Sequence, residues 1–250
     1  MSRALSSELL KLRTTRTFFA LVLSAVLLVG AISALASSLA TFEDANVWPG
    51  EDLVGITFFG PLFALVLGVL AVSTEFRHGT ITPTLLAVPS RSRVIAAKIV
   101  AHLLAGFVLG LLVMVLNLAL VEGILSVRDI ESGTSMGEAL RWTAGVSVTA
   151  GLLAALGVGV GAIVRNQVGA LVGALAWIFI VEPLLTIIPG VDDLLERYGV
   201  GPLMDGLNGF EDSTGTDVLA QAPAGLLLAG YVAVLALVGA ALLRRRDVTA

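Results

Sequence analysis

Residues 18–40 read Phe18-Phe19-Ala20-Leu21-Val22-Leu23-Ser24-Ala25-Val26-Leu27-Leu28-Val29-Gly30-Ala31-Ile32-Ser33-Ala34-Leu35-Ala36-Ser37-Ser38-Leu39-Ala40. No ionisable side chain interrupts them. A helix needs about 20 such residues to cross the hydrocarbon core of a bilayer, so this stretch is long enough to span one. Five more runs of the same kind follow, at 53–74, 99–121, 142–164, 168–189 and 223–243. Their one ionised group is Glu182, in the fifth. Six runs of this length rarely coexist in a soluble core, and a transmembrane barrel would alternate apolar with polar residues. The first run is longer than a secretory h-region, and no small-x-small site dominates its end. The expected fold is all-α: a single membrane domain, residues 1–250, with six transmembrane helices.

Composition agrees. Of 250 residues, 57% are hydrophobic and 14% charged, and the mean hydropathy is +0.97. Soluble domains run at about 45–50% apolar and about 25% charged. The absence of cysteine excludes a disulfide scaffold, a thiol enzyme and a cysteine zinc site. A net charge of −4 argues against a basic nucleic-acid binder, so no nucleic-acid partner is expected.

Orientation follows from Lys and Arg, which favour the cytoplasmic side. With the N-terminus inside, Arg3, Lys11, Arg13, Arg16, Arg77, Arg91, Arg93, Lys98, Arg165, Arg244, Arg245 and Arg246 are cytoplasmic. Only Arg128, Arg141 and Arg197 are outside. The acids segregate the other way: Glu8, Glu75 and Asp247 are inside, Glu182 is in the membrane, and the rest are outside. Six spans return the C-terminus to the cytoplasm.

The connecting segments differ in character. In residues 1–16, Leu5, Leu9 and Leu12 recur at helical spacing with Lys and Arg on other faces. This predicts an amphipathic helix on the inner membrane surface, against the alternative of a disordered basic leader. The outer loop Thr41–Asp52 is short and acidic, and Glu122–Arg141 reads as a polar loop with one loose helical turn. Arg165-Asn166-Gln167 alone separates the fourth and fifth spans, which makes them an antiparallel pair. In the outer segment Gly190–Ala222, Val191, Leu194, Leu195 and Tyr198 predict a short helix ended by Gly199 and Gly201. The rest, with Asp212-Ser213-Thr214-Gly215, reads as exposed loop.

The inner loop over 75–95 carries most information. It begins Glu75-Phe76-Arg77-His78-Gly79-Thr80-Ile81-Thr82-Pro83-Thr84-Leu85-Leu86-Ala87-Val88-Pro89-Ser90-Arg91. Gly79 can break the helix leaving the membrane. Pro83–Val88 can form a short helix, since proline is tolerated in a first turn, and Pro89 stops it. Leu85 and Leu86 would then be presented on the cytoplasmic side, either as a docking surface for a soluble partner or packed against the chain's own helices.

Here the chain resembles the permease subunits of ABC transporters of the type-2 exporter family, particularly actinobacterial-looking members. The resemblance is carried by Glu8-Leu9-Leu10-Lys11-Leu12-Arg13, by Glu75-Phe76-Arg77-His78-Gly79-Thr80-Ile81 with Thr84-Leu85-Leu86, and by Pro89-Ser90-Arg91 and Ala97-Lys98. Arg165-Asn166-Gln167 with Gly169, Val181-Glu182-Pro183 and Arg244-Arg245-Arg246-Asp247-Val248 support it. It implies a multi-pass protein of the bacterial cytoplasmic membrane whose N-terminal helix connects at the inner surface. The loop after the second span would carry a coupling helix that docks on a separate ATPase subunit. Glu75 and Arg77 would hold the membrane-exit geometry, and Thr80 to Leu86 would form or adjoin the docking helix. Short re-entrant or surface helices after the fifth span would cap the pathway. Two permeases, as a homodimer or a related heterodimer, would pair with two ATPases that bind ATP and Mg. Phe76 stands where Tyr is also common in the family.

This chain has no G-x-x-x-x-G-K-[ST] phosphate loop, so the expectation is a non-enzymatic chain without a cofactor or metal of its own. An ionisable residue inside the membrane is a functional candidate. Glu182, beside the helix-bending Pro183, would line an outer vestibule, pair with an outer-side donor, or cap freed backbone groups. Asn117 and His102 lie in or near the third span. Asn117 joins Glu182 and Pro183 as a pathway or gating candidate, while His102 reads as solvated or packing. The pairs Gly106/Gly110, Gly157/Gly161 and Gly169/Gly173 have the spacing of close helix packing, including a contact between two copies. The favoured reading is an exporter permease for an amphiphilic or hydrophobic substrate, surrounded by membrane lipid. The alternative is a secondary carrier or channel-like protein without an ATPase, with Glu182 as its proton-coupled group. An intramembrane enzyme would need a constellation such as H-E-x-x-H, and none is present.

Overall fold

The computed structural model describes residues 2–39, 53–88, 90–210 and 218–245. Among them six helices are long and apolar enough to cross a membrane: Arg16–Leu39, Gly55–Arg77, Arg91–Val127, Met136–Val164, Gln167–Leu185 and Gln221–Arg244. They follow the six predicted runs in order, so the chain is a polytopic all-α protein. The elements are α1 (Ser2–Thr14), α2 (Arg16–Leu39), a 3-10 turn (Gly55–Phe58) leading into α3 (Phe59–Arg77), α4 (Ile81–Ala87), α5 (Arg91–Val127) and α6 (Met136–Val164). There follow α7 (Gln167–Ala176), a π turn (Trp177–Val181), α8 (Glu182–Leu185), α9 (Asp192–Tyr198), α10 (Val200–Asn208) and α11 (Gln221–Arg245).

α6 is the axis of the bundle. Its span is 83% buried, against 17% for α2, 11% for α7–α8 and 22% for α11. The cause is its supply of small residues. A Cβ on Gly161 would come within 2.7 Å of the Val69 carbonyl oxygen, and one on Gly157 would strike that of Leu65. Across the same seam Gly68 of α3 abuts the Ala154 carbonyl. On another side Gly106 and Gly110 of α5 abut Ala150 and Val146. Backbone thus meets backbone, the close approach that small residues permit between membrane helices. Gly173 is different: a Cβ there meets nothing within 4 Å.

The helix ends have local causes. Ser135 and Glu138 form a reciprocal capping box at the start of α6. At its end Arg165 adopts a left-handed φ of 59°, and the Asn166 side chain accepts from the Gly169 N–H to cap α7. This is the expected tight antiparallel turn. Gly79, at φ 69°, stops α3 as expected.

Several boundaries differ from the sequence reading. α5 has 37 residues, about 55 Å at 1.5 Å per residue, well beyond the bilayer core. It takes Arg91–Ile95 out of the inner loop and Glu122–Val127 out of the outer one, because neither end carries a breaker before Ser90 or Arg128. The short helix of the inner loop is Ile81–Ala87 and begins earlier than Pro83. The fifth span ends at Leu185, not 189. Just before Pro183 it widens: the Glu182 N–H reaches the Trp177 carbonyl, five residues back. Pro183 lacks a donor and its ring crowds the preceding turn. Gly201 does not end a helix; it lies within α10, which Gly209 terminates at φ 77°. α10 is also not exposed loop, since Leu203 and Met204 sit in the core beside Leu153 and Leu228. Finally, α1 does not leave its apolar face to lipid. Leu5, Leu9 and Leu12 pack on Leu67, Ala101 and Phe18. The expectations for Thr41–Asp52 and for Asp212-Ser213-Thr214-Gly215 fall outside the described residues. Those for Pro89 and Arg246-Asp247-Val248 also lie outside.

Candidate coupling site and carboxylate cavity

At the inner end of the bundle, α1, α3 and α5 each bring charge to one point. Lys98 of α5 donates to Glu75 Oε1 at 2.7 Å, to Glu8 Oε2 at 3.0 Å and to the Ala71 carbonyl oxygen at 3.0 Å. Lys11 donates to Glu8 Oε1 at 2.8 Å and to Glu75 Oε1 at 2.7 Å. Two cations and two anions thus form one neutral cluster. Lys98 and Glu8 are almost fully buried, whereas the Lys11 side chain is 43% exposed. Burial alone would raise the Glu8 carboxyl, but Lys98 and Lys11 override it and hold it below its ordinary value. Burial would likewise lower Lys11, yet its bonds to Glu75 and Glu8 leave it raised.

The predicted coupling loop grows directly from this cluster. Beyond Glu75, the Phe76 ring packs beside Val72, Ile95 and Leu243, with the Arg165 guanidinium over its face at 5.1 Å. Arg77 donates to Gln167 Oε1 at 3.1 Å. His78 Nδ1 bonds the Thr74 carbonyl at 2.9 Å, holding the last turn of α3. After Gly79 and Thr80, α4 anchors itself by Ile81, 3% exposed, and turns Leu86 outward, 78% exposed. Leu85 is half-buried, so only one of the two leucines expected on the surface is fully presented. Arg91 donates to the Leu243 carbonyl oxygen, and Arg165 to that of Leu242 at 3.0 Å. The inner ends of α3, α5, α6, α7 and α11 are therefore tied to the segment that carries α4.

Glu182 lies elsewhere, on the outer half. It stands three residues from the end of the span, about 5 Å along the axis at 1.5 Å per residue, closer to the outer end than the sequence boundary implied. It is nevertheless only 5% exposed, because the α9–α10 junction folds over it. Its Oε1 accepts from the Gly201 N–H at 3.0 Å. Gly199 sits so close that a Cβ there would collide with that oxygen. Oε2 is buried without a hydrogen-bond partner among the described residues. Glu182 borders a cavity of about 620 Å³ between α6, α7, the α9–α10 junction and α11. Gly169 and Gly173 line this cavity; a Cβ on Gly169 would meet Val164 and Asn166 at the adjoining turn, and one on Gly173 would meet nothing within 4 Å among the described residues.

The other candidates are not brought to that cavity. Pro183 is placed at the bend beside it. Asn117 is fully buried between α2 and α5, where its Nδ2 donates to Ser33 Oγ at 2.7 Å and to the Leu53 carbonyl at 3.3 Å. His102 is buried too, with Nδ1 on the Lys98 carbonyl at 2.8 Å; it is a packing residue and not a solvated one. Among the described residues no group of His, Asp and Glu is arranged to hold a metal ion. Sequence reasoning did not assign Glu8, Lys11 and Lys98 to the site. Their signal was present: each is a charge beside a span, and opposite charges there find one another across helices.

A six-span α-helical protein with a short exposed helix joined to its inner helix ends is a polytopic membrane protein in architecture. The chain belongs to the ABC-2 family of transporter proteins, whose family profile matches residues 4–181. The matched stretch takes in the charge cluster and α4, and it ends one residue before Glu182. No curated protein matches the chain. It is thus a multi-pass permease chain of an ABC transporter, a cell-membrane protein in bacteria.

Proposed function

We propose that the chain is the membrane half of an ABC exporter, energised by a separate ATPase subunit that docks on α4. The supporting observation is the pairing of an exposed apolar residue, Leu86, with the bonds that tie the flanking segment to the bundle. Arg77–Gln167 and Arg165 over Phe76 join α3 to the α6–α7 turn, and Glu75 joins α3 to α1 and α5. A push on α4 would pass through these bonds to the inner ends of five helices.

In this reading ATP and Mg reside on the partner, and their hydrolysis cycle moves α4. Two permease copies would form the pathway and alternate between inward-open and outward-open states. α10, seated in the core, and α9 would form its outer cap. An amphiphilic substrate suits a bundle whose cavity wall is almost wholly aliphatic and aromatic.

The test is purification of the tagged chain from its native membrane. An ATPase subunit carrying a phosphate loop should co-purify and should be lost on Leu86→Glu. A chain that isolates alone and moves solute without nucleotide would remove this reading.

A further inference from the structure

The outer cavity has a composition that the bundle does not need for packing. Its wall is apolar, with Leu156, Val160 and Ile178 among its residues, yet one carboxylate enters it. Among the described residues no Lys, Arg or His lines it. The Glu182 side chain is buried, and its Oε2 has no partner among the described residues. A buried anion left half-satisfied is costly unless something compensates it. The chain supplies N–H donors from Gly201, Val200 and the Trp177 indole, and no positive charge among the described residues that line the cavity.

The aromatic residues sharpen this. The chain has only two tyrosines, and both line this cavity, together with Trp177. The Tyr231 hydroxyl donates to the Tyr198 carbonyl oxygen at 2.8 Å, which engages its proton away from Glu182. The ring faces of tryptophan and tyrosine attract cations, most strongly where water is scarce. The Arg197 guanidinium already stands over one face of Tyr198, 6.0 Å from its centroid; the carboxylate, the remaining aromatic faces and the aliphatic walls are together the chemistry of a site for a bulky apolar cation. The volume falls within the range of small-molecule pockets, about 300–1,000 Å³.

We propose that the cavity beside Glu182 binds lipophilic cations, with the Glu182 carboxylate as counter-ion and Trp177, Tyr198 and Tyr231 against the charged centre. As a substrate site it rests on the permease reading; as a binding site it does not. Gly173 provides a way to close it, because it lines the cavity and a Cβ there meets nothing within 4 Å.

The experiment measures equilibrium binding of radiolabelled tetraphenylphosphonium to the purified chain in nanodiscs, with empty nanodiscs subtracted. Uncharged triphenylphosphine oxide serves as comparator. The wild type should favour the cation, and Glu182→Gln should weaken cation binding roughly tenfold or more while leaving the neutral compound unchanged. Gly173→Leu, which fills the cavity, should abolish binding of both while the protein stays monodisperse. Equal binding of cation by wild type and Glu182→Gln, or full binding by Gly173→Leu, would overturn the proposal. No ATPase takes part in this assay. Cation binding without a co-purifying ATPase would sink the permease reading alone, and the reverse result would sink the cation site alone.

Discussion

The Lys98 Nζ lies 2.7 Å from Glu75 Oε1, with 1% of the lysine side chain exposed. Removing one partner of a buried pair leaves an uncompensated charge, at a cost of about 3–5 kcal/mol. Lys98→Met should therefore lower the melting temperature of the purified protein sharply. Lys11→Met touches the same acids from a side chain 43% exposed, and exposed pairs contribute about 0–1 kcal/mol. Thermal unfolding of the two variants side by side checks the ranking; equal losses would mean that burial does not set the strength of the cluster.

The same cluster has a pH signature. Glu8 is held below its ordinary value of 4.5 in the folded protein, so its contribution is complete above that value. It is lost as pH falls through the lower folded value. Melting temperature measured from neutral to acid pH should fall less steeply below 4.5 in Glu8→Gln than in the wild type, although the variant starts less stable. Lys11 acts at the other extreme: raised above 10.5, it stabilises fully below that pH and loses its effect as pH climbs through the folded value.

Arg77→Ala separates coupling from folding. Its bond to Gln167 is exposed, so thermal stability should change by no more than about 1 kcal/mol. Transport per ATP hydrolysed should drop in a reconstituted complex. Glu75→Ala is a poorer probe, since it also strips the cluster. Unchanged coupling in Arg77→Ala would show that the Arg77–Gln167 contact transmits nothing.

Glycines divide into two kinds. Gly68→Ala drives a methyl into the Ala154 carbonyl, an overpacking that costs about 1–3 kcal/mol or more. Gly230→Ala, on α11, meets nothing within 4 Å and should be silent or slightly stabilising through helix propensity. Monodispersity and melting temperature in detergent distinguish them.

The spans were legible because apolar length is a local property. The turn at Arg165-Asn166-Gln167 and the break at Gly79 were legible for the same reason: few residues can cap or reverse a helix there. α10 was missed because its polar residues and glycines resemble a loop until Leu203 and Met204 are seen against Leu153 and Leu228. Its burial is set by partners some fifty residues back and twenty-five ahead, and no local pattern carries that. The short helix after Gly79 was legible from its own residues, but Glu8 and Lys98 were not joined to that segment, since pairing across helices leaves no periodic trace. Asn117 looked like a pathway residue only because polarity within a span is rare; its neighbours, Ser33 and Leu53, show it joining helices.

The four-charge cluster also fixes an order of events during synthesis. Glu8 and Lys11 leave the ribosome long before Glu75 and Lys98. Until both later residues arrive, α1 has no lock, and its leucine face has only lipid to cover it. The first helix made is thus fastened only after α5 has been made. The cluster closes when α3 and α5 stand side by side, so a docked α1 reports that the inner half of the bundle has been inserted in register.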